Sequence, residues 1–312
     1  MKKLHAKAFK RAWEELVGQS GSPHSAAAGG GGAGAASPVA AGPPVAAQGL
    51  PDKYVAAQKQ IRLGKAADAA HGLRRLLGVT DDQIGSYYQQ HEAAIEQEFA
   101  EHGDGMDQDN LARILAGTFR DDAGETKSLE ELLAHPSARM AKLGRHHILA
   151  LRLYTTCSFS KINDPLRSDP VKRPHPFAAT TFFISEGIKM LRAVEAQLPG
   201  AYTERIYWRG MKDLGITGEF MTKGGTDFAC VSTTAHQAIA VHNFASSALP
   251  LVFKVVTKNC LSRGADISFL SVYPTEQEAL YPPLTYLRCL EMKMETLSGV
   301  QLLVATVEPM MA

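Results

Sequence analysis

The sequence predicts an α+β protein with an antiparallel or mixed sheet. Two observations predict it. Apolar residues recur at helical spacing through the first two-thirds of the chain. From Arg205 onward, short β-branched and aromatic runs separated by turn residues take over. A third observation narrows the class: no G-x-G-x-x-G follows an expected strand, so a doubly wound dinucleotide fold is not expected.

The first stretch, Met1 to Gly18, is basic and compatible with a helix. It carries Lys2, Lys3, Lys7, Lys10 and Arg11 against Glu14 and Glu15. It lacks the apolar centre of a secretory signal; a transit-peptide reading stays open. Residues 19 to 50 are dominated by Gly, Ala, Ser and Pro. That composition buries too little apolar surface to offset the entropy of ordering, so 1–50 reads as a disordered arm. Residues 51–124 read as a helical extension, with Leu63, Ala67, Ala70, Leu73 and Leu77 at helical spacing. Gly103 to Asp109 is acidic like a calcium loop. It lacks the glycine and the distal glutamate such a loop needs, which leaves a polar turn between helices.

Residues 125–312 form the remaining unit. Ser128-Leu129-Glu130-Glu131 has capping-box spacing and starts a short helix that Pro136 ends. A longer helix follows, with Met140, Leu143, His147, Leu151 and Tyr154 on one stripe. His146 and His147 diverge by about 100° on such a helix, so they do not form a metal pair with each other and are read as structural. The next helix spans about 180–197. Strands are expected at 205–211, 227–233, 250–257, 266–273, 278–282, 285–295 and 300–309, with one helix near 235–245.

Composition excludes some functions. Lys+Arg 33 against Asp+Glu 32 gives a net charge of +1, and no basic stripe interleaves with aromatics, so a nucleic-acid partner is not expected. No apolar run reaches about 18 residues, so no membrane span is expected. The four cysteines (157, 230, 260 and 289) form no C-x-x-C metal or redox pattern and read as reduced thiols, with disulfides the lesser reading.

Three segments carry candidate chemistry. Glu276 and Glu278 follow the run Ile267 to Tyr273. In extended chain, residues i and i+2 face one side, so both carboxylates can line one cavity if a cationic or transiently cationic substrate offsets their repulsion. The alternative is a solvated turn. In Arg205-Ile206-Tyr207-Trp208-Arg209-Gly210, Arg209 suits bidentate phosphate binding and Gly210 lets backbone approach a ligand; the alternative is an edge-strand arginine. In Phe228 to Thr234, Ser232 can end a strand inside a cleft and donate to a carboxylate or sugar hydroxyl. The alternative is that the hydroxyl cluster caps the next helix.

Arginine, then Ser232-Thr233-Thr234, then Glu276-Gln277-Glu278, in that order and spacing, resembles the arginine-specific mono-ADP-ribosyltransferases, the R-S-E class. Tyr154-Thr155-Thr156, Ile162-Asn163 and Leu166-Arg167 are similar to the family's upstream pattern. Glu278-Ala279-Leu280-Tyr281-Pro282-Pro283 is similar to the segment after its catalytic glutamate. The resemblance covers roughly 125 to 310 and departs at Thr234, often serine, where the hydroxyl is kept. It implies two facing, mostly antiparallel or mixed sheets with an NAD cleft between them and flanking helices. It further implies Glu278, Glu276 and Ser232 as catalytic. Arg209, Gly210, Ser232 and Thr233 would bind NAD+, Glu276 and Tyr273 would meet the acceptor, and no metal is implied. The partner implied is a protein with an exposed arginine, or a small guanidine. An NAD glycohydrolase and a silent NAD-binding domain are the competing readings, and plain strand packing is the alternative for Tyr273.

Overall fold

Capping residues punctuate the helical half. The computed structural model describes residues 50–57, 60–168, 170–242 and 247–311. Except for Leu50, the expected arm at 1–50 lies outside the described residues. The helices are α1 (Asp52–Val55), α2 (Leu73–Leu77), α3 (Asp81–Gln90), α4 (Glu92–His102), α5 (Gly105–Leu115), α6 (Leu129–Ala134), α7 (Pro136–Ala141), α8 (Arg145–Thr155), α9 (Phe159–Arg167), α10 (Ala178–Glu195), α11 (Gly218–Lys223) and α12 (Gln237–His242).

Thr80 and Gln83 form a reciprocal capping box that starts α3. The Asp104 carboxylate accepts from the Met106 and Asp107 N–H groups at 3.0 and 3.1 Å, so the acidic stretch at 103–109 is the start of α5. Ser128 and Glu131 form the expected box at α6. Pro136 does more than end that helix: it opens α7 at N1, where its missing N–H costs nothing.

Two helical expectations need correction. The long helix through Met140 and Tyr154 is two helices, because Lys142 adopts φ 54° and Gly144 caps α8. The helix expected through Leu63 and Leu77 is also broken. Gly64 lies extended and exchanges backbone bonds with Thr226 (2.7 and 2.9 Å). A Cβ there would run into the Phe228 ring, so close pairing with a strand wins over helical periodicity. A 3-10 turn at Ala66–His71 and Gly72 at φ 65° then lead into α2.

The largest core joins the helices to one end of the sheet. Ile95 and Phe99 of α4, Leu111 and Ile114 of α5, Ile148 and Leu151 of α8, and Phe183 and Ile188 of α10 pack with Ile267 and Leu280. No described helix is long and apolar enough to cross a membrane.

The strands are β1 (Arg205–Met211), β2 (Gly225–Asp227), β3 (Val231–Thr234), β4 (Leu251–Thr257), β5 (Ala265–Asp266), β6 (Glu278–Tyr281), β7 (Thr285–Leu297) and β8 (Val300–Met310). The fold is α+β with a mixed sheet, as expected. Its order is β2-β7-β8-β4-β1-β3-β6-β5, antiparallel except for the β4–β8 pair. The two expected sheets are two parts of one hydrogen-bonded ladder. β1 pairs with β4 along its whole length but meets β3 only at Trp208 and Thr234, so a five-strand part and a three-strand part touch through one residue pair. The strand expected at 227–233 splits into β2 and β3, because the Asp227 carboxylate accepts the Ala229 N–H at 3.0 Å and turns the chain. The strand expected at 266–273 shrinks to β5. Side chains of α8 take the backbone groups beyond it: Arg152 donates to the Leu270 and Ser271 carbonyls, and Thr155 Oγ1 accepts the Val272 N–H. The four cysteines are free thiols.

Two titratable groups in the helical half give a pH prediction. His175 is 3% exposed; its Nδ1 accepts the Phe177 N–H and its Nε2 donates to the Ile162 carbonyl, both at 3.0 Å. Burial pushes its pKa down to about 4. The folded state therefore holds it neutral, and stability is lost as pH falls from about 6.5 towards 4, by up to about 3 kcal/mol. Glu98 has the opposite sign. It caps the first turn of α10, accepting from Ala179 N, Thr180 N and Thr180 Oγ1, yet burial pushes it up to about 7. Its contribution is lost as pH rises from about 4.5 through 7. Urea midpoints between pH 4 and 7 should show a shallower acid-side loss in His175→Gln than in the parent. In Glu98→Gln the loss on going from pH 4.5 to 7 should disappear. Parallel curves for parent and both variants would refute the assignment.

Candidate active site

The site is built where β3 runs beside β6. Their register sets Thr234 opposite Glu278 and Ser232 opposite Leu280. Alternation then turns Ser232, Thr234 and Glu278 to one face. The Ser232 hydroxyl donates to Glu278 Oε1 at 2.5 Å, and Glu278 is 6% exposed. Thr233 turns the other way and donates to the Ala279 carbonyl. Thr234 does two things. Its Oγ1 accepts the His236 N–H, a local turn before α12 rather than a cap on a helix N–H, and donates to the Glu276 carbonyl at 2.5 Å.

Glu276 and Glu278 are not two residues of one extended run. Pro274–Glu276 is a 3-10 turn and Gln277 adopts φ 45° and ψ 58°, a left-handed conformation, before β6 begins at Glu278. The same-side rule for strands does not govern this pair; Pro274 and the left-handed Gln277 replace it. Glu276 nevertheless lines the cavity that Ser232 lines, and the hydroxyl of Ser232 reaches Glu278.

Arg209 approaches from β1. Its Nη1 donates to the Ser232 carbonyl at 3.1 Å and its Nε to Met211 Sδ at 3.3 Å. Burial, and then the nearby Arg167 charge, pull its pKa down against Asp227, Tyr154 and Glu278. A partly desolvated guanidinium at a cavity wall favours an anion. Arg209, Gly210, Ser232, Thr233, Thr234 and Glu276 all border a cavity of about 230 Å³. Tyr273 and Glu278 are not among its lining residues. The Tyr273 N–H donates to Ser271 Oγ at 3.0 Å, and burial, then Glu276 and Asp122, push its phenol up to about 12.

The upstream pattern supplies residues to which the sequence reading gave no role. Tyr154, Asn163 and Arg167 line the same cavity and converge on Cys230, two residues before Ser232. Asn163 Oδ1 accepts the Cys230 N–H (3.2 Å). Tyr154 Oη and Arg167 Nη2 donate to its carbonyl (3.4 and 3.1 Å). Arg167 also grips Asp227 bidentately at 3.0 and 2.9 Å. The available signal was polar residues, Asn163 above all, on otherwise apolar helix faces.

One group of His and Glu side chains outside this site converges among the described residues. Ligand atoms of His91, Glu92 and His146 lie within 4.8 Å of one another. The His91 and His146 rings stack at 4.7 Å, and Glu92 already pairs with Arg145 at 3.4 Å. The cluster sits at the N-termini of α4 and α8, whose dipoles, with Arg145, oppose a cation. Sequence spacing relates His146 to His147 and gives no signal for His91, which lies on another helix end.

The chain belongs to the NAD:arginine ADP-ribosyltransferase family, whose model matches residues 85–304. As a member it is an ADP-ribosyltransferase that uses NAD. The match begins inside α3, among the helices read as an extension. No curated protein matches the chain. Among solved structures, it is similar to the ADP-ribosyltransferase HopU1 of Pseudomonas syringae pv. tomato DC3000, with 18% identity over 65% of this chain and 97% of that one, TM-score 0.44. It is also similar to a mutant of the eukaryotic mono-ADP-ribosyltransferase ART2.2 in complex with NAD, with 13% identity over 80% and 95%, TM-score 0.48. A third is the type III effector XopAI from Xanthomonas axonopodis pv. citri, with 14% identity over 80% and 95%, TM-score 0.42.

Proposed function

We propose that this chain transfers ADP-ribose from NAD+ to arginine side chains of target proteins, or to small guanidines, and releases nicotinamide. The observation that carries the proposal is the Ser232–Glu278 hydrogen bond at a cavity that Arg209 and Glu276 also border. The bond to nicotinamide is already activated, because the leaving group departs neutral, so no general acid is needed. The task is to stabilise an oxocarbenium-like ribose, as glycosidases do. A preorganised, largely buried carboxylate does this well. Glu278 takes that role and binds the ribose, and Ser232 holds Glu278 in place. Arg209 binds the NAD phosphates, Gly210 leaves room for them, and Thr233 fixes the strand behind. Glu276 orients the incoming guanidinium and receives its proton. Tyr273 is the aromatic offered to the acceptor protein.

The cavity lies below the roughly 300–1,000 Å³ of drug-sized sites, so it suits one end of the dinucleotide. The chemistry calls on no metal. Residues 125–312 are the proposed catalytic domain, with 51–124 contributing helices to its core and 1–50 an arm.

The test is incubation with NAD and agmatine. ADP-ribosyl-agmatine is expected; nicotinamide without adduct would make water the acceptor, and neither product would make the domain silent. Arg209→Lys keeps the charge and loses the fork. It should raise KM for NAD by about tenfold, roughly 1.4 kcal/mol, with a smaller fall in kcat. Unchanged NAD affinity would return Arg209 to a purely structural role.

A further inference from the structure

Arg152 lies in the middle of α8, is 1% exposed, and is the largest of the fully buried side chains. Among the described residues no carboxylate stands within ion-pair distance of it, and its Nη2 has no hydrogen-bond partner. The Phe119 ring lies 5.9 Å from its guanidinium carbon. Asp121 acts on it only from beyond ion-pair distance; a buried cation so placed is costly unless strong acceptors face it, and an apolar side chain of similar length would fill the space more cheaply. The acceptors are two successive carbonyls: Nη1 donates to Leu270 O at 2.7 Å and to Ser271 O at 2.9 Å.

These carbonyls begin the segment that leads to Glu276 and Glu278, and that segment is held from outside the sheet at each step. Thr155 Oγ1, also on α8, accepts the Val272 N–H at 3.1 Å. The Asp122 N–H donates to the Val272 carbonyl at 3.0 Å. Ser271 Oγ accepts the Tyr273 N–H at 3.0 Å, which leaves its own proton for Glu278 Oε2 at 3.5 Å. The turn at Pro274–Glu276 and the left-handed Gln277 follow directly.

We infer that Arg152 is a positioning residue for the glutamate loop: by fixing the Leu270 and Ser271 carbonyls it sets where the loop leaves the core, and through Ser271 it helps orient Glu278. The catalytic consequence rests on the proposed role of Glu278; the structural consequence does not. Arg152→Met keeps the length and removes the donors, Arg152→Lys keeps the charge with a single head, and Ser271→Ala removes only the hydroxyl between loop and carboxylate.

Steady-state NAD cleavage, melting temperature and amide hydrogen exchange are measured on the full chain. Arg152→Met should lower kcat by roughly 10- to 100-fold with KM for NAD within about threefold, the signature of lost positioning rather than lost binding. Exchange should accelerate across 270–278 while β4 and β8 keep parent protection. Arg152→Lys should recover part of kcat, and Ser271→Ala should lose about tenfold. Parent-like kcat in Arg152→Met below its melting temperature, or exchange that quickens evenly over the whole fold, overturns the inference. If Arg152→Met does not fold, Arg152→Lys and Ser271→Ala decide: parent-like kcat and parent-like exchange at 270–278 in both overturn it. If the parent cleaves no NAD, the functional reading fails, and the exchange pattern alone still judges Arg152.

Discussion

Replacing Glu278 by Gln is expected to lower both nicotinamide release and ADP-ribose transfer by at least roughly 10²-fold, or about 2.7 kcal/mol of transition-state stabilisation. The substitution spares the Ser232 contact and gives up the longer one from Ser271 Oγ to Oε2. The amide oxygen of glutamine can still accept the Ser232 hydroxyl that now donates to Oε1, so the β3–β6 contact survives while the charge is removed. A cation developing at the ribose then faces a neutral dipole at a largely buried position, where charge interactions are stronger than in bulk water. In the role proposed for it the carboxylate acts in the transition state more than in the ground state, so kcat should carry the loss and NAD affinity should change far less. The measurement is nicotinamide release with and without agmatine, beside NAD titration of the same preparation. Release within a few-fold of the parent would remove Glu278 from the centre of the reaction.

Local signals were legible where the residues act on their own neighbours. The Ser128 box, the β1 boundaries and the presence of strands at β7 and β8 follow from capping and alternation. Two of the failures share one cause: a distant part of the chain took backbone groups that a local pattern had assigned elsewhere. Residues 267–273 have strand composition, yet Arg152 and Thr155 hold their carbonyls and N–H groups, 117 to 119 positions away. Gly64 falls within a stretch of helical spacing, but the Thr226 backbone pairs with its N–H and carbonyl. The site divides the same way. Ser232, Arg209 and Glu276 could be named from residue type and order. The grip of Tyr154, Asn163 and Arg167 on Cys230 could not, because a hydrogen bond to a backbone atom leaves no requirement on the identity of the residue that supplies it.

The left-handed Gln277 bears on the last expectation, which concerns the choice of acceptor. In a continuous strand, Glu276 and Glu278 would share one environment, and losing either charge would disturb the other. The observed turn separates them. Glu278 is buried against Ser232, whereas Glu276 sits on the cavity rim with its own carbonyl tied to Thr234 Oγ1. That tether uses backbone, so Glu276→Gln leaves the anchor of the loop untouched and changes only the side chain. An acceptor guanidinium, with a pKa above about 12, arrives fully charged and must lose a proton as its nitrogen bonds to the ribose carbon. A carboxylate can pair with it bidentately and take that proton; an amide does neither well. Glu276→Gln should therefore reduce transfer to agmatine by at least about 10²-fold and leave nicotinamide release within a few-fold of the parent. Measured in one assay, the two products separate the outcomes. Transfer and release falling together would assign Glu276 to the NAD site. Neither falling would reduce the glutamate pair to a surface turn and leave guanidinium recognition to some other group on the cavity rim.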